Sequence, residues 1–194
     1  MKEIPFNTEY LISKSGEVVK KEGRYPIKLS SRNKVYLGQR KKGMSFSVTD
    51  LVYLTYVNNF DTATYTALIK DPEVAIRPEN LFLVKKTYRG SPWPVLLLQR
   101  SKSNCKRAYS TDLTFDLTIK DLIEQYEEQQ GLSYYLKIPM DTTMTCKLRA
   151  ISIDRINNDK GYGPGNFKLV TRFENLGRAS NSHEEMLAFV TSHL

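Results

Sequence analysis

Cysteine and histidine are scarce in this chain of 194 residues: two of each, Cys105, Cys146, His183 and His193. Two thiols cannot build a disulfide framework, and with two imidazoles they have no spacing for a four-ligand zinc site. Long apolar runs are missing as well. The longest, Pro94-Val95-Leu96-Leu97-Leu98, falls far short of the roughly 20 residues a membrane-spanning helix needs, so no membrane partner is expected. Met1-Lys2-Glu3-Ile4-Pro5 lacks the apolar stretch of a secretory signal, which predicts an intracellular, cytoplasmic protein. No compositional bias points to disorder, collagen or coiled coil: 40% of residues are hydrophobic and 11% aromatic, enough for one ordinary domain or two small ones.

What is present in excess is positive charge. The net charge is +8, and it is uneven: residues 1–110 carry 20 Lys and Arg against 9 Asp and Glu, whereas residues 111–194 carry 9 against 12. Such a balance suits one half for gripping a polyanion, although a soluble basic surface gives the same count. From Lys20 to Lys42 the cations Lys20, Lys21, Arg24, Lys28, Arg32, Lys34, Arg40, Lys41 and Lys42 interleave with Tyr25, Ile27, Val35, Tyr36 and Leu37. Short β-prone pieces between glycines and serines predict a meander of antiparallel strands, one face packed and the other cationic. A two-stranded ribbon enters the major groove, so double-stranded DNA is the expected partner.

Val48, Leu51, Val52 and Tyr56 fall at helical spacing and predict a helix packed on that sheet. Asp71-Pro72 and Arg77-Pro78 break the next stretch into loops, and Asn80–Val84 reads as a short strand. Ser91-Pro92-Trp93-Pro94 is the clearest punctuation, with a domain junction expected near residues 86–94. The expected domains are a basic DNA-binding sheet domain over residues 1–90 and a second domain over 91–194. A helix from Val95 to Tyr109 would offer Arg100, Lys102, Lys106 and Arg107 to phosphates. Thr118 with Asp121 predicts a capped helix ending at Gly131, its Glu124, Glu127 and Glu128 on a solvated face.

Residues 147–178 predict strand, polar loop, strand and helix. A strand over 147–153 ends at Asp154; Asn157 to Gly165 is rich in turn residues; Phe167–Val170 is a second strand. Thr171 then caps a helix with Glu174, which carries Asn175 on its first turns. Asp154 and Asn175 could converge on one hard cation through oxygen ligands, although an ordinary hairpin and helix explain the same spacing.

The run Asp154-Arg155-Ile156-Asn157-Asn158, Lys160-Gly161-Tyr162, Pro164-Gly165-Asn166, Val170 and Asn175 resembles the HNH, or ββα-metal, endonucleases of the subgroup with a Gly-Tyr-x-Pro-Gly-Asn loop. Phe115-Asp116-Leu117-Thr118, Gln129-Gln130-Gly131 and Ile138-Pro139-Met140 match that subgroup's lead-in, so the resemblance covers about residues 95–178. The first half, through Tyr10–Ser13, Gly16-Glu17-Val18 and Val48–Val52, resembles the amino-terminal sheet of phage intron-type homing endonucleases of this family, and Asn80–Val84 looks like an HNH strand without its Asp-His pair.

The resemblance implies an α+β fold: an N-terminal antiparallel sheet with a helix, then a helical segment and a ββα-metal nuclease motif. It implies a phage-type, metal-dependent, site-specific DNA endonuclease in which Asp154 and Asn175 hold Mg²⁺ or Mn²⁺ and Asn166, counted with the catalytic residues, orients the loop and the base. A monomer would nick and a homodimer could cut both strands. Where the family has a histidine after the metal aspartate, this chain has Arg155, which cannot accept a proton near neutral pH but can clamp a phosphate. Two accounts follow. Tyr135 or Tyr162 assists the water in an active enzyme, or the protein is an inactive, DNA-binding regulator derived from one. His183, opening a last helix capped by Ser182 and Glu185, reads as a surface residue first and as a distant base candidate second.

Overall fold

The period-two alternation expected around Lys34–Leu37 is present: Val35 and Leu37 are buried, Lys34 and Tyr36 exposed. The structure, a computed structural model, describes residues 1–38, 44–108 and 113–193, apart from the side chains of 106–108. The chain divides into two compact units, Met1–Val84 and Lys85–Leu194. The class is α+β, with small antiparallel sheets and, among the described residues, five α-helices.

The first unit opens with a three-stranded antiparallel sheet of β1 (Lys2–Ile4), β2 (Asn7–Ile12) and β3 (Val18–Lys20), in that spatial order. A separate hairpin follows, β4 (Lys34–Leu37) with β5 (Met44–Ser47). The basic stretch is therefore not one meander. Lys20 ends β3 and Lys34 opens β4, while Lys21, Arg24, Lys28 and Arg32 lie on an irregular connection. The cause is local: Gly23 and Arg24 both take positive φ, 75° and 50°, which turns the chain out of strand geometry.

Helix α1 (Val48–Tyr56) buries Val48, Leu51 and Val52, as their spacing predicts, against Ile4, Ile12, Val18, Val35 and Leu37. Tyr56 is half-buried and its hydroxyl donates to the Ile12 carbonyl at 2.7 Å. A strand not expected from the sequence, β6 (Tyr65–Ile69), pairs with β7 (Leu81–Lys85). Asp50 on α1 holds β6 in place, accepting from the Ala67 amide at 2.6 Å and the Thr66 hydroxyl at 2.9 Å.

In the second unit, α2 (Trp93–Ala108) begins two residues before the expected start, with Pro94 at a first-turn position where its missing N–H costs nothing. Tyr109, the expected end, lies outside the described residues. Helix α3 (Ile119–Glu128) carries the capping box foreseen between Thr118 and Asp121 and packs on α2, Trp93 meeting Tyr126 at 5.2 Å between rings. The last sheet is an antiparallel hairpin, β8 (Ile151–Arg155) with β9 (Phe167–Thr171), registered from Ile151↔Thr171 to Arg155↔Phe167. The strand expected from Lys147 starts only at Ile151, because the Asp141 carboxylate gathers the amides of Thr143 and Cys146 and bends the chain first. Helices α4 (Arg172–Arg178) and α5 (His183–His193) complete the unit, with α2 against β8, α3 against β9 and α4 against both strands. Gln129, in the stretch matched to the family lead-in, pairs with the edge of β9 as a strand would, donating to the Leu169 carbonyl (2.7 Å) and accepting from its amide (3.0 Å). Both cysteines are free thiols.

Candidate active site

Thr171 is both the last residue of β9 and the N-cap of α4, so helix follows strand without a loop. Its amide and hydroxyl each donate to Glu174 Oε2 at 2.6 Å, and Glu174 Oε1 accepts from the Leu136 amide at 2.7 Å. Glu174 is fully buried; three hydrogen bonds offset the cost of desolvating its charge. The cap seats α4 on the hairpin. Asn175 then donates through Nδ2 to the Ile153 carbonyl at 2.9 Å and to Ser152 Oγ at 2.7 Å. It thereby comes to the strand position next to Asp154.

Asp154 itself is 6% exposed, and both of its oxygens are engaged. Arg178, three residues beyond Asn175 and 1% exposed, donates from Nε to Oδ2 at 2.7 Å and from Nη2 to Oδ1 at 3.0 Å. The same guanidinium reaches the carbonyls of Arg155 and Asn181, and Asn158 Oδ1 at 2.9 Å. Tyr135 adds its hydroxyl to Asp154 Oδ2 at 3.1 Å. The sequence singled out Asp154 without its counter-charge. Arg178 was legible only as a residue of the same helix face, three positions from Asn175.

No family model matches the chain, and no curated protein matches it. A solved structure does: "DNA binding and cleavage by the HNH homing endonuclease I-HmuI", 17% identical over 68% of each chain, with a TM-score of 0.36. A likeness that slight transfers no residue role, and the site is read from its own geometry.

The loop between β8 and β9 is braced from within. Asn166 accepts from the Asn157 amide at 2.9 Å and donates to the carbonyls of Asn157 and Gly161 at 3.1 and 2.8 Å, so it ties the loop together. Arg155 is buried; its Nη1 donates to the carbonyls of Asn158 and Lys160 at 2.9 and 3.1 Å, and its guanidinium lies 5.1 Å from the Tyr162 ring centre. Those bonds turn Arg155 Nη1 into the loop, which it braces. Tyr162 packs on Phe115 at 5.3 Å, and its backbone pairs with Thr114 and Asp116.

Tyr135 is buried, and its phenol is pushed well above the ordinary value, by burial first and then by the Asp154 charge. That disfavours the phenolate a Tyr135 base would need. The hydroxyl also lies 2.9 Å from His183 Nδ1. His183 is thus half-buried in the site and not a surface residue: the Ser182–Glu185 cap starts α5 immediately after a short turn, which folds it back over Tyr134 and Tyr135. With the Tyr135 proton on the Asp154 bond, His183 donates from Nδ1 to the hydroxyl and keeps Nε2 as the acceptor of the neutral ring; with that proton directed to Nδ1, the roles reverse.

Of the cations expected to meet DNA, Lys21, Arg24, Lys28, Arg32 and Lys34 are exposed and Lys20 is half-buried. Lys21 is ion-paired with Glu3. Arg40, Lys41 and Lys42, and the side chains of Lys106 and Arg107, lie outside the described residues. Arg100 is half-buried on α2. For the cation, a carboxylate and a carboxamide are the hard oxygen donors that Mg²⁺ or Mn²⁺ takes. The residue types suit such an ion, but both Asp154 oxygens are held by Arg178 in this structure. Among the described residues no group of three or more His, Cys, Asp or Glu side chains is clustered for a metal.

Proposed function

We propose that this protein binds double-stranded DNA and hydrolyses its phosphodiester bonds as a metal-dependent endonuclease of the HNH type. One observation carries the reading: the β8–β9 hairpin runs directly into α4, so that the carboxamide of Asn175 bonds the residue adjoining Asp154 on β8. The motif resemblance over the same residues agrees with it.

Asp154 and Asn175 would hold Mg²⁺ or Mn²⁺, and such an ion supplies charge stabilisation at the phosphorus and at the leaving 3′ oxygen. The chain's own residues do the rest. Asn166 and Arg155 keep the loop closed beside the site. Tyr135, with its proton on the Asp154 bond, orients His183, whose Nε2 is the candidate acceptor for the proton of the attacking water. Surface cations hold the phosphate backbone.

A second reading, DNA binding without cutting, is favoured by the Asp154–Arg178 pair, which already neutralises the carboxylate in a saturated set of hydrogen bonds. Nicking of supercoiled plasmid in Mg²⁺ or Mn²⁺ separates the two. The wild type should produce open circles only with metal, and Asp154→Asn, assayed at a temperature where circular dichroism shows it folded, should fall to background. Binding of DNA with no cutting in either metal favours the second reading; cutting that survives Asp154→Asn removes the site assignment.

A further inference from the structure

Within the second unit a cleft of about 730 Å³ opens between α2, the turn before β8, β8 itself and α4. Among the described residues, four cations line it, Arg89, Arg100, Lys147 and Arg172, and no aspartate or glutamate does. Like charges gathered without a carboxylate repel one another, a cost that an anion in the cleft would relieve. The gathering is built, not incidental: Arg89 Nε and Arg100 Nη2 converge on the hydroxyl of Tyr88 at 3.0 and 3.4 Å. Hydrogen bonds from the two guanidiniums lower the phenol's pKa, Arg89 contributing first. At the floor are Ser152 and Asn175, the same carboxamide that adjoins Asp154. The segment that supplies the first two arginines is itself one-signed: residues 85–110 hold 7 Lys and Arg and no Asp or Glu.

We propose that this cleft holds the phosphodiester backbone of one DNA strand, with Arg89, Arg100, Lys147 and Arg172 as its phosphate contacts and Tyr88 as the strut that keeps the two arginines together. The proposal rests on the DNA-binding reading above and moves the principal grip from the first unit's basic stretch to a groove that leads to Asn175. A strand lying there would pass its phosphates over Asn175, one of the two residues that reading assigns to the metal. The cleft is larger than one phosphate would fill, which suits successive phosphates of a backbone rather than an isolated anion.

The test is the salt dependence of binding of a fluorescent 30-base-pair duplex to the full chain, read by anisotropy across NaCl concentrations. Each neutralised phosphate contact contributes about 0.9 to the slope of log K against log salt. Arg89→Gln, Lys147→Gln and Arg172→Gln are therefore each expected to flatten the slope by about 0.9. Arg100→Gln should do the same, and Arg100→Lys, which keeps the charge, should restore most of it. The first three side chains are exposed, so their variants should melt with the wild type. Lys28→Gln with Arg32→Gln and Lys34→Gln is the comparison in the first unit. Wild-type binding with an unchanged slope in the cleft variants, and the loss confined to the first-unit variant, overturns the cleft alone. A wild type that binds duplex RNA but not DNA, or neither, overturns the DNA reading and the cleft assignment with it.

Discussion

Arg178 decides more at the candidate site than any residue the motif names. It is fully buried, and it is bonded to Asp154 through two nitrogens. Removing one partner of such a pair strands a charge in a medium that solvates it poorly. Arg178→Ala should destabilise the protein by about 3–5 kcal/mol in urea unfolding, whereas Asp154→Asn combined with Arg178→Gln should recover a large part of that loss. Tyr135 has a signature of its own. Its pKa is raised in the folded protein, so above about pH 10 the unfolded chain gives up the phenol proton while the native state keeps it. Stability is then fully present below that pH and declines as pH rises beyond it. Urea midpoints from pH 8 to 11 should show a shallower alkaline decline in Tyr135→Phe than in the wild type. If His183 takes the water's proton, His183→Ala should slow metal-dependent nicking sharply and leave DNA affinity within about twofold, read on the same samples by plasmid and anisotropy assays.

The elements around the site owe their placement to local rules that the sequence displays openly. Thr118 with Asp121 and Thr171 with Glu174 are both capping boxes, but they are not equivalent. The first cap is exposed, whereas Thr171 and Glu174 are buried and also secure Leu136. Thr171→Ala should cost about 2 kcal/mol, the upper end for a cap, and Thr118→Ala about 1 kcal/mol, compared by denaturant titration. The loop glycines differ too. A Cβ on Gly161 would run into the Thr114 backbone, while one on Gly163 meets nothing within 4 Å. Gly161→Ala should therefore cost about 1–3 kcal/mol and expose residues 156–166 to hydrogen exchange, with Gly163→Ala close to the wild type. Both effects were visible as letters, a Thr-x-x-Glu and a glycine-rich loop. Which glycine touches backbone was not, because Thr114 lies 47 positions away along the chain.

At the scale of the whole molecule, the charge asymmetry read along the chain changes meaning once the units are known. Residues 1–84 carry 13 Lys and Arg against 9 Asp and Glu, and residues 85–194 carry 16 against 12. Each unit is thus net +4, and the strongly basic stretch through α2 belongs with the ββα hairpin rather than with the N-terminal sheets. A perturbation of the buried pair should stay within its own unit. Hydrogen exchange of Arg178→Ala should lose protection in β8, α4 and α5 while the amides of β1–β3 and α1 remain as in the wild type.

Helix α1, the two capped helices, the glycine-rich loop and the hairpin with its following helix were determined by sequence alone, since periodicity, caps and turn residues act over a few positions. Only the tertiary structure decided that the basic stretch breaks across two sheets, that Asp154 meets an arginine 24 residues away, and that His183 reaches Tyr135 across 48. Those pairings depend on how separate elements pack, and the energy that selects them, burial of charge against its partners, has no local signature for a pattern to report.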